Sequence, residues 1–286
     1  MMKKIAILFE KSNKIGSGHY FRSLRLKNLL KDKFKVTLFH IKNKKNIATI
    51  IKKNYDLHIL DLKTYRRINT TKKIIIFENL GKPIPNTISI NPLDLNLENS
   101  GPEFFIFPKN IEKIKFPANY SSLDQKITIL IIQGANDSND QLKKLLNYID
   151  TNKKKIKFNF KLIIKLLKKK KIKNIKNSLQ INNIKDITKI FKQTDIAISS
   201  VGNTSYELGY IGIPTIHYTI EKREKIRAAQ LERLKLAKFI KKDMSIIINE
   251  LNKIYYNDKY RKKLIQRRKF FFRKKNKLIK LINNEL

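Results

Sequence analysis

The sequence contains no cysteine, and this absence removes several kinds of chemistry. Without thiols the chain has no disulfide, no thiolate metal ligand and no cysteine nucleophile. The absence is also compatible with a reducing compartment, and we expect a cytoplasmic protein. The histidine and acidic residues form no cluster with the spacing of a metal site. We therefore expect neither a metal nor another cofactor.

Long apolar segments are missing as well. No apolar run approaches the roughly 20 residues that a membrane-spanning helix needs. The N-terminus resembles a short signal peptide, but its apolar stretch is brief and Glu10 and Lys11 follow it at once. We predict a strand there instead. With 286 residues, 41% of them hydrophobic, the chain can bury a core large enough for one or two domains.

Acidic residues are scarce: the chain has 23 of them against 64 lysines and arginines, and its net charge is +41. Such an excess is typical of proteins that bind nucleic acid or anionic lipid. The lysines are spread along the chain, however, and the scarcity of glycine fits the bias of an AT-rich genome. We therefore do not expect nucleic acid as the main partner. A basic nucleic-acid or membrane-surface binder remains our second alternative, and peripheral contact with an anionic membrane stays open.

Residues 15–26, IGSGHYFRSLRL, connect a predicted strand to a predicted helix. The apolar run Lys4–Phe9 precedes them, and leucines at helical spacing follow. Gly16 and Gly18 allow a tight turn and the close approach of a ligand. The start of the helix offers free N–H groups, and His19 is a candidate proton acceptor there. An ordinary glycine turn with a packed histidine is the alternative.

Strands and helical segments alternate through the first part of the chain, which predicts a parallel sheet with right-handed crossovers. Ligands bind at the carboxyl ends of such strands. Asp61 and Glu78 follow two predicted strands and are therefore grouped with His19, although loop solvation and capping explain them equally well. The predicted strands are residues 4–9, 34–40, 55–60, 72–77 and 87–90, with a helix at residues 46–53.

A second alternating pattern begins at Lys126, after a proline-containing stretch, residues 91–126, that indicates a linker or domain edge. We place the first domain at residues 1–117, the second at 118–250, and a basic helical segment at 251–286. That last segment is expected to pack back toward the first domain and so cover residues 270–272. The apolar patch at residues 104–107 is expected to pack between the domains. The predicted elements are strands at residues 126–132, 156–166 and 195–199, a helix at 184–191, and a strand after Pro214.

Two loops of the second pattern are suited to phosphate binding. Residues 133–140 connect a buried strand to a helix through polar residues and a glycine, an arrangement that cradles phosphates. After the strand that ends at Ser199, a helix is predicted that Asn203 or Thr204 caps and that ends near residues 209–212. Glu207, one turn inside it, could accept hydrogen bonds from a ribose. A capping box between Thr204 and Glu207 is the alternative, and both can hold together.

Three motifs, in this order, resemble those of the nucleotide-sugar hydrolases of pseudaminic acid biosynthesis and of their polysaccharide-biosynthesis relatives. Residues 16–22 resemble the family's G-x-G-H-x-x-R, and residues 134–137 its G-G-S-D loop, with Ala135 in place of a glycine. Residues 202–207 and 212–214 resemble its G-x-T-x-x-E…G-x-P. The family belongs with glycosyltransferases of the GT-B type. The resemblance implies an α/β fold in which two Rossmann-like domains face a cleft.

The resemblance also implies an activity, namely hydrolysis of a UDP-sugar in nonulosonic-acid or surface-polysaccharide synthesis. The substrate would be a UDP-linked diacetamido-trideoxyhexose or a similar sugar, and we expect a monomer. In this reading His19 activates the water that displaces UDP. The sugar side would be formed by Gly16, Gly18, Arg22, Asp61 and Glu78. The nucleotide side would be formed by Gly134, Asn136, Asp137, Ser200, Gly202, Asn203, Thr204 and Glu207.

The chain departs from the family pattern where the sugar would be recognised. Asn79 stands where the family has a second acidic residue. Residues 107–110 replace a usual L-R-x-E-F segment. The sugar therefore stays open, and so does the acceptor. An alcohol in place of water would make the protein a GT-B glycosyltransferase, which is the first alternative.

Overall fold

The computed structural model divides the chain into two compact units. The first contains Met1–Pro108 and Lys274–Leu286, and the second contains Lys109–Arg273. None of the described helices is both long and apolar enough to cross a membrane. The structure describes residues 1–11, 18–43, 45–63, 71–79, 83–114, 126–133, 141–165, 175, 177–181, 187–219, 222–240, 243–266, 268–272 and 276–286.

The first unit is built on a parallel sheet of five strands in the order β2-β1-β3-β4-β5. The chain runs from β1 outward to β2 and then returns to the other side of β1. The carboxyl ends of β1 and β3 therefore lie at the point where the strand order reverses, which is where open α/β sheets bind ligands. The elements are β1 Lys4–Phe9, α1 Gly18–Leu30, β2 Lys35–His40, α2 Lys45–Ile51, β3 Leu57–Asp61, β4 Ile74–Phe77, β5 Thr87–Ile90 and a 3-10 turn Pro102–Phe104.

The second unit contains a parallel sheet of six strands in the order β11-β10-β9-β6-β7-β8. Its strand order reverses between β6 and β9, so the loops after these two strands share one edge. The strands are β6 Ile127–Ile132, β7 Phe160–Lys165, β8 Ser178–Ile181, β9 Ile196–Ser199, β10 Thr215–Tyr218 and β11 Lys238–Ile240. The helices are α3 Lys109–Glu112, α4 Gln141–Asn152, α5 Thr188–Phe191, α6 Asn203–Ile211, α7 Lys222–Arg233, α8 Ser245–Tyr256, α9 Asp258–Gln266 and α10 Lys269–Phe272, with a 3-10 turn Lys153–Lys155.

The division between the units differs from the predicted domain bounds at both ends of the second unit. It falls after Pro108 and not at residue 117, because Ile111 is already buried in the core of the second unit. The segment at 251–286 is also split. Its first part stays with the second unit, and the final helix, α11 Lys277–Asn284, belongs to the first unit. Leu278 and Ile282, one turn apart on α11, are fully buried in the core of that unit.

Two apolar segments that we expected to pack between or across domains each pack within one unit. Phe104 and Ile106 lie in the core of the first unit. Phe271, on α10, packs in the second unit against Tyr206 of α6, with ring centroids 5.3 Å apart in an edge-to-face arrangement. Helix α6 therefore covers Phe271 within the second unit.

Helix α6 ends within the predicted range, residues 209–212. It continues past Gly209 to Ile211, and its C-cap is Gly212, whose φ of 90° lies in the left-handed region. Gly209 itself makes the packing of Phe271 on α6 possible. A Cβ atom on Gly209 would lie 2.5 Å from Cε2 of the Phe271 ring. The missing side chain is therefore a requirement of the contact between α6 and α10.

Replacing Gly209 with alanine is expected to destabilise the second unit by about 1–3 kcal/mol, because the added methyl group forces the Phe271 ring away from α6. Urea unfolding of the variant measures this loss. A smaller side chain at position 271 should relieve this clash. Adding Phe271→Leu to the Gly209→Ala variant should therefore restore part of the lost free energy of unfolding. Equal stability of Gly209→Ala and the native chain would contradict the packing described here.

Candidate active site

Four predicted site residues meet at the carboxyl edge of the first sheet. His19 and Arg22 lie one turn apart at the start of α1, Asp61 ends β3, and Glu78 follows β4 directly. The helix starts at Gly18, so the N-terminal turn that follows β1 carries both basic side chains over the ends of β3 and β4. The structure thus brings together residues that are separated by 39 to 56 positions in the sequence.

Arg22 is the centre of this cluster. Its Nε donates to Oδ2 of Asp61 at 2.7 Å, and its Nη2 donates to Oδ1 of Asp61 at 2.5 Å. Its Nη1 donates to Oε1 of Glu78 at 2.5 Å. The guanidinium also lies 5.2 Å from the centroid of the buried Phe77 ring. A two-pronged pair of this kind fixes both the distance and the rotation of the carboxylate.

The same carboxylate holds the His19 ring, with Nδ1 of His19 2.5 Å from Oδ1 of Asp61. Burial alone would raise the pKa of Asp61, but the Arg22 guanidinium and the hydrogen bonds from Arg22 and His19 hold that pKa below its usual range. Asp61 is therefore an ionised acceptor, and its Oδ1 is much closer to Nδ1 of His19 than the donor Nη2 of Arg22, which lies 3.4 Å away. The carboxylate thus assigns the proton to Nδ1 of His19, which leaves Nε2 able to accept a proton.

At the edge of the second sheet, helix α6 begins immediately after β9. Its N-cap residue is Gly202, one position before the cap that we predicted at Asn203 or Thr204. The hydroxyl of Ser205 accepts from the Gly202 N–H at 3.2 Å and donates to the Gly202 carbonyl at 2.6 Å. Ser205 thus makes the capping contacts that our alternative interpretation gave to Thr204 and Glu207. The described residues leave the space beside Gly202 open, since a Cβ there would meet none of their atoms within 4 Å. The amide side-chain oxygen of Asn203 is buried and forms no hydrogen bond with any described residue.

Glu207 lies inside α6 and is only 4% exposed. Burial lowers the pKa of Lys165, at the end of β7, and the negative charge of Glu207 opposes that effect. The two side chains are therefore close enough to interact electrostatically. Ser200 follows β9 at the same sheet edge and is also largely buried.

Some predicted residues lie outside the described residues. These are Gly16 in the first unit and Gly134, Asn136 and Asp137 in the second. Gln133, the residue directly before Gly134, is described. It follows β6, where the strand order of the second sheet reverses between β6 and β9. It is 5% exposed, and its amide nitrogen forms no hydrogen bond with a described residue. Its place at the end of a strand was visible in the sequence, but its burial was not.

His217 is a second residue that sequence reasoning missed. It lies on β10 opposite Ser199 of β9, and its Nδ1 is 3.2 Å from the Ser199 hydroxyl. Both side chains are almost completely buried. Burial lowers the pKa of His217 to about 4, against the opposing effect of its hydrogen bond with the Ser199 backbone. The ring is therefore neutral at physiological pH and serves to join the ends of two strands beside α6.

This burial predicts that the free energy of unfolding depends on pH through His217. Because its pKa is about 4 when folded and 6.5 in the reference state, the unfolded chain holds more protons between these values. Stability should therefore fall as the pH drops from 6.5 to 4, by up to about 3 kcal/mol. Urea unfolding of the native chain and of His217→Asn across this range should show a flatter pH dependence for the variant. Equal pH dependence of the free energy of unfolding in the native chain and in His217→Asn would contradict this prediction. The control is His40→Asn, a change at an exposed position, which should keep the native pH dependence.

No family model matches this chain, and a search of the curated proteins found no match. Solved structures do match over nearly the whole length. Spinosyn rhamnosyltransferase SpnG has a TM-score of 0.66 at 10% identity, with 99% of this chain and 100% of that chain covered. A putative UDP-N-acetylglucosamine 2-epimerase from Listeria monocytogenes has a TM-score of 0.59 at 13% identity, with coverage of 99% and 95%. The S. aureus MnaA–UDP structure has a TM-score of 0.66 at 12% identity, with coverage of 99% and 95%.

At sequence identities this low, the structural matches show a shared fold and nothing more specific. Together with the two parallel sheets, they confirm the predicted class: the chain has the two-domain α/β architecture of GT-B glycosyltransferases. What the protein does with that fold has to be argued from its own side chains.

Proposed function

We propose that this protein is a glycosyl-transferring enzyme that uses a UDP-sugar, with His19 as the general base. The observation that carries the proposal is the His19–Asp61 pair at the ligand-binding edge of the first sheet. The fold also supports the proposal, because proteins of the same architecture include a rhamnosyltransferase and S. aureus MnaA, whose structure was solved with UDP.

The chemistry proposed for His19 is removal of a proton from an acceptor hydroxyl. As the acceptor oxygen attacks the anomeric carbon, its proton passes to Nε2, and the bond from that carbon to the UDP oxygen breaks. The Asp61 carboxylate, hydrogen-bonded at Nδ1, keeps the ring in the reactive tautomer and stabilises the imidazolium that forms. A positioned base of this kind typically accelerates a reaction by about 10²–10⁴-fold.

The second unit is proposed to hold the nucleotide at the start of α6. The first N–H groups of a helix have no partner within it and carry partial positive charge, which suits a diphosphate and the charge that UDP gains on leaving. The open space beside Gly202 supports this placement. We assign the phosphates to Ser200, Gly202, Asn203 and Thr204, together with Gly134, Asn136 and Asp137. Glu207 was expected to contact the ribose, but its side chain is only 4% exposed, so we do not assign it that contact.

A hydrolase is the second candidate, because the same base can activate water. The motif resemblance at residues 16–22 and 202–214 supports it, and the substrate implied there is a UDP-linked diacetamido-trideoxyhexose of nonulosonic-acid synthesis. The fold neighbours support the transferase better, since those named for an activity include a sugar transferase. The identity of the acceptor separates the two.

The test has two stages. Thermal unfolding is first measured with UDP, CDP and GDP, and we expect UDP to raise Tm most because a ligand of the native state stabilises it. UDP release is then followed for a panel of UDP-sugars, without an acceptor and with added alcohols. A transferase needs the alcohol for full turnover, whereas a hydrolase turns over completely in water. If no nucleotide raises Tm and no UDP-sugar is turned over, the proposal is wrong.

A further inference from the structure

Arg22 was expected to contact the sugar, but its surroundings suggest another role. Of the four side chains in the cluster, His19 keeps 15% of its surface exposed, whereas Arg22, Asp61 and Glu78 keep 7%, 2% and 9%. The guanidinium is enclosed by two carboxylates and the Phe77 ring. Only the His19 ring offers an accessible reactive group.

We propose that Arg22 is a positioning residue that sets the tautomer of His19 through Asp61, and that Glu78 holds the far end of the guanidinium. The catalytic consequence rests on the proposed function, whereas the tautomer itself does not. In this arrangement Arg22 does not touch substrate.

The argument starts from the shared carboxylate. Arg22 occupies both oxygens of Asp61, and His19 shares one of them. A fixed, ionised carboxylate requires Nδ1 of His19 to carry the proton, so Nε2 has the free lone pair. Nη2 of Arg22 is also a donor, but it lies 3.4 Å from Nδ1, whereas Oδ1 of Asp61 lies 2.5 Å from it, so the carboxylate determines the tautomer.

Loss of the guanidinium would reverse this arrangement. A buried carboxyl group without a cation favours its neutral form. A protonated Asp61 would donate to Nδ1, and the ring proton would then lie on Nε2. No proton is gained or lost within the imidazole, yet the nitrogen needed as a base becomes a donor.

The backbone of Glu78 adopts an unfavourable conformation that keeps its carboxylate on Arg22. Its φ of 57° lies in the left-handed region, which glutamate rarely adopts. The backbone is held there by the Glu78 N–H, which donates to the Ile90 carbonyl at 2.7 Å. Such conformations persist where the surrounding structure requires them. Here the turn places the carboxylate on Nη1 of Arg22, which leaves Nε and Nη2 for Asp61.

The tautomer can be measured without any substrate. The full chain is labelled with ¹⁵N-histidine, and the His19 signals are assigned by their loss in His19→Gln. Spectra are taken well above the ordinary histidine pKa of about 6.5, where the rings are neutral. We expect Nδ1 to be protonated in the native chain and Nε2 to become protonated in Arg22→Met. The matched control is Arg25→Met on the same helix, where the native arginine reaches the Ile106 carbonyl, and it should keep the native tautomer.

Removal of Arg22 alone leaves two buried carboxylates, so a second variant guards against misfolding. The double change Arg22→Met/Glu78→Gln removes one charge of each sign and should keep the net charge of the cluster while losing the grip on Asp61. We expect the same shift to the Nε2–H tautomer. A native tautomer in whichever of these variants folds would overturn the proposal.

Kinetics supplies an independent readout. Arg22→Met/Glu78→Gln should lower kcat by about 10²-fold or more, with KM nearly unchanged, and Asp61→Asn should cost little more when added to it, because both act through the same ring. A rise in KM without loss of kcat would identify Arg22 as a substrate contact and overturn the inference. If no UDP-sugar is turned over even by the native chain, the proposed function fails, but the tautomer measurement still decides the role of Arg22.

Discussion

Replacing His19 with alanine is expected to lower the kcat of UDP-sugar turnover by about 10²–10⁴-fold, because the acceptor hydroxyl loses the base that takes its proton. Binding of UDP should be unchanged, since the nucleotide is assigned to the second unit. Steady-state rates of UDP release give the first quantity, and calorimetric titration with UDP gives the second.

The matched control for this variant is His40→Ala in the same unit. His40 ends β2, stacks on Phe9 and lies 3.0 Å from the Lys11 carbonyl, away from Asp61. It should turn over substrate at the native rate. Native turnover by His19→Ala would eliminate the proposed base. Loss of UDP binding in the same variant would show that the division of labour between the two units is wrong.

Replacing Gly202 with aspartate is expected to weaken UDP binding by about 10²-fold. The new carboxylate would lie beside the proposed diphosphate site, and two unit charges about 6 Å apart repel by about 3 kcal/mol at an effective dielectric of about 20. Folding should be little affected, because in the described part of the chain no atom lies within 4 Å of a Cβ at this position. Titration with UDP at low and high salt measures the effect and its electrostatic origin.

Gly202→Asn separates charge from size, since asparagine has the same shape as aspartate without the charge. We expect it to bind UDP much more tightly than Gly202→Asp does. If both variants bind equally weakly, steric blockage and not phosphate repulsion is responsible. If both bind like the native chain, the nucleotide does not approach the start of α6, and the assignment of the second unit is wrong.

The central strands were predictable because of how a parallel sheet is buried. Such strands are covered on both faces and appear as continuous apolar runs. Among the central strands, the bounds predicted for β1 agree with the structure, and those for β6 differ by one residue. The bounds of β5, an edge strand of the first sheet, were also predicted correctly. The missed strands, β8 and β11, are the two edges of the second sheet. Both strands are short and partly exposed. Neither contains an apolar run, or an alternation of apolar and polar residues, that is long enough to indicate a strand.

The site was predictable only in part. Strand ends in the sequence placed His19, Asp61 and Glu78 at one edge of a sheet, and the structure brings these residues into contact through Arg22. The sequence offered no means of telling a sugar-binding arginine from a buried one. That distinction depends on whether carboxylates from two other strands close around the guanidinium, which is a matter of packing.

The order of apolar runs, glycine turns and helical segments was enough to determine two parallel α/β domains, since local burial and turn chemistry are written residue by residue. Which strands became neighbours was decided by the tertiary structure. The reversals of strand order beside β1 and β6 bring distant loops to common edges. The burial of Arg22 between two carboxylates and the contact of Phe271 with Gly209 likewise join residues that are distant in the sequence. Contacts of this kind depend on the simultaneous positions of several elements, and no single stretch of sequence contains that information.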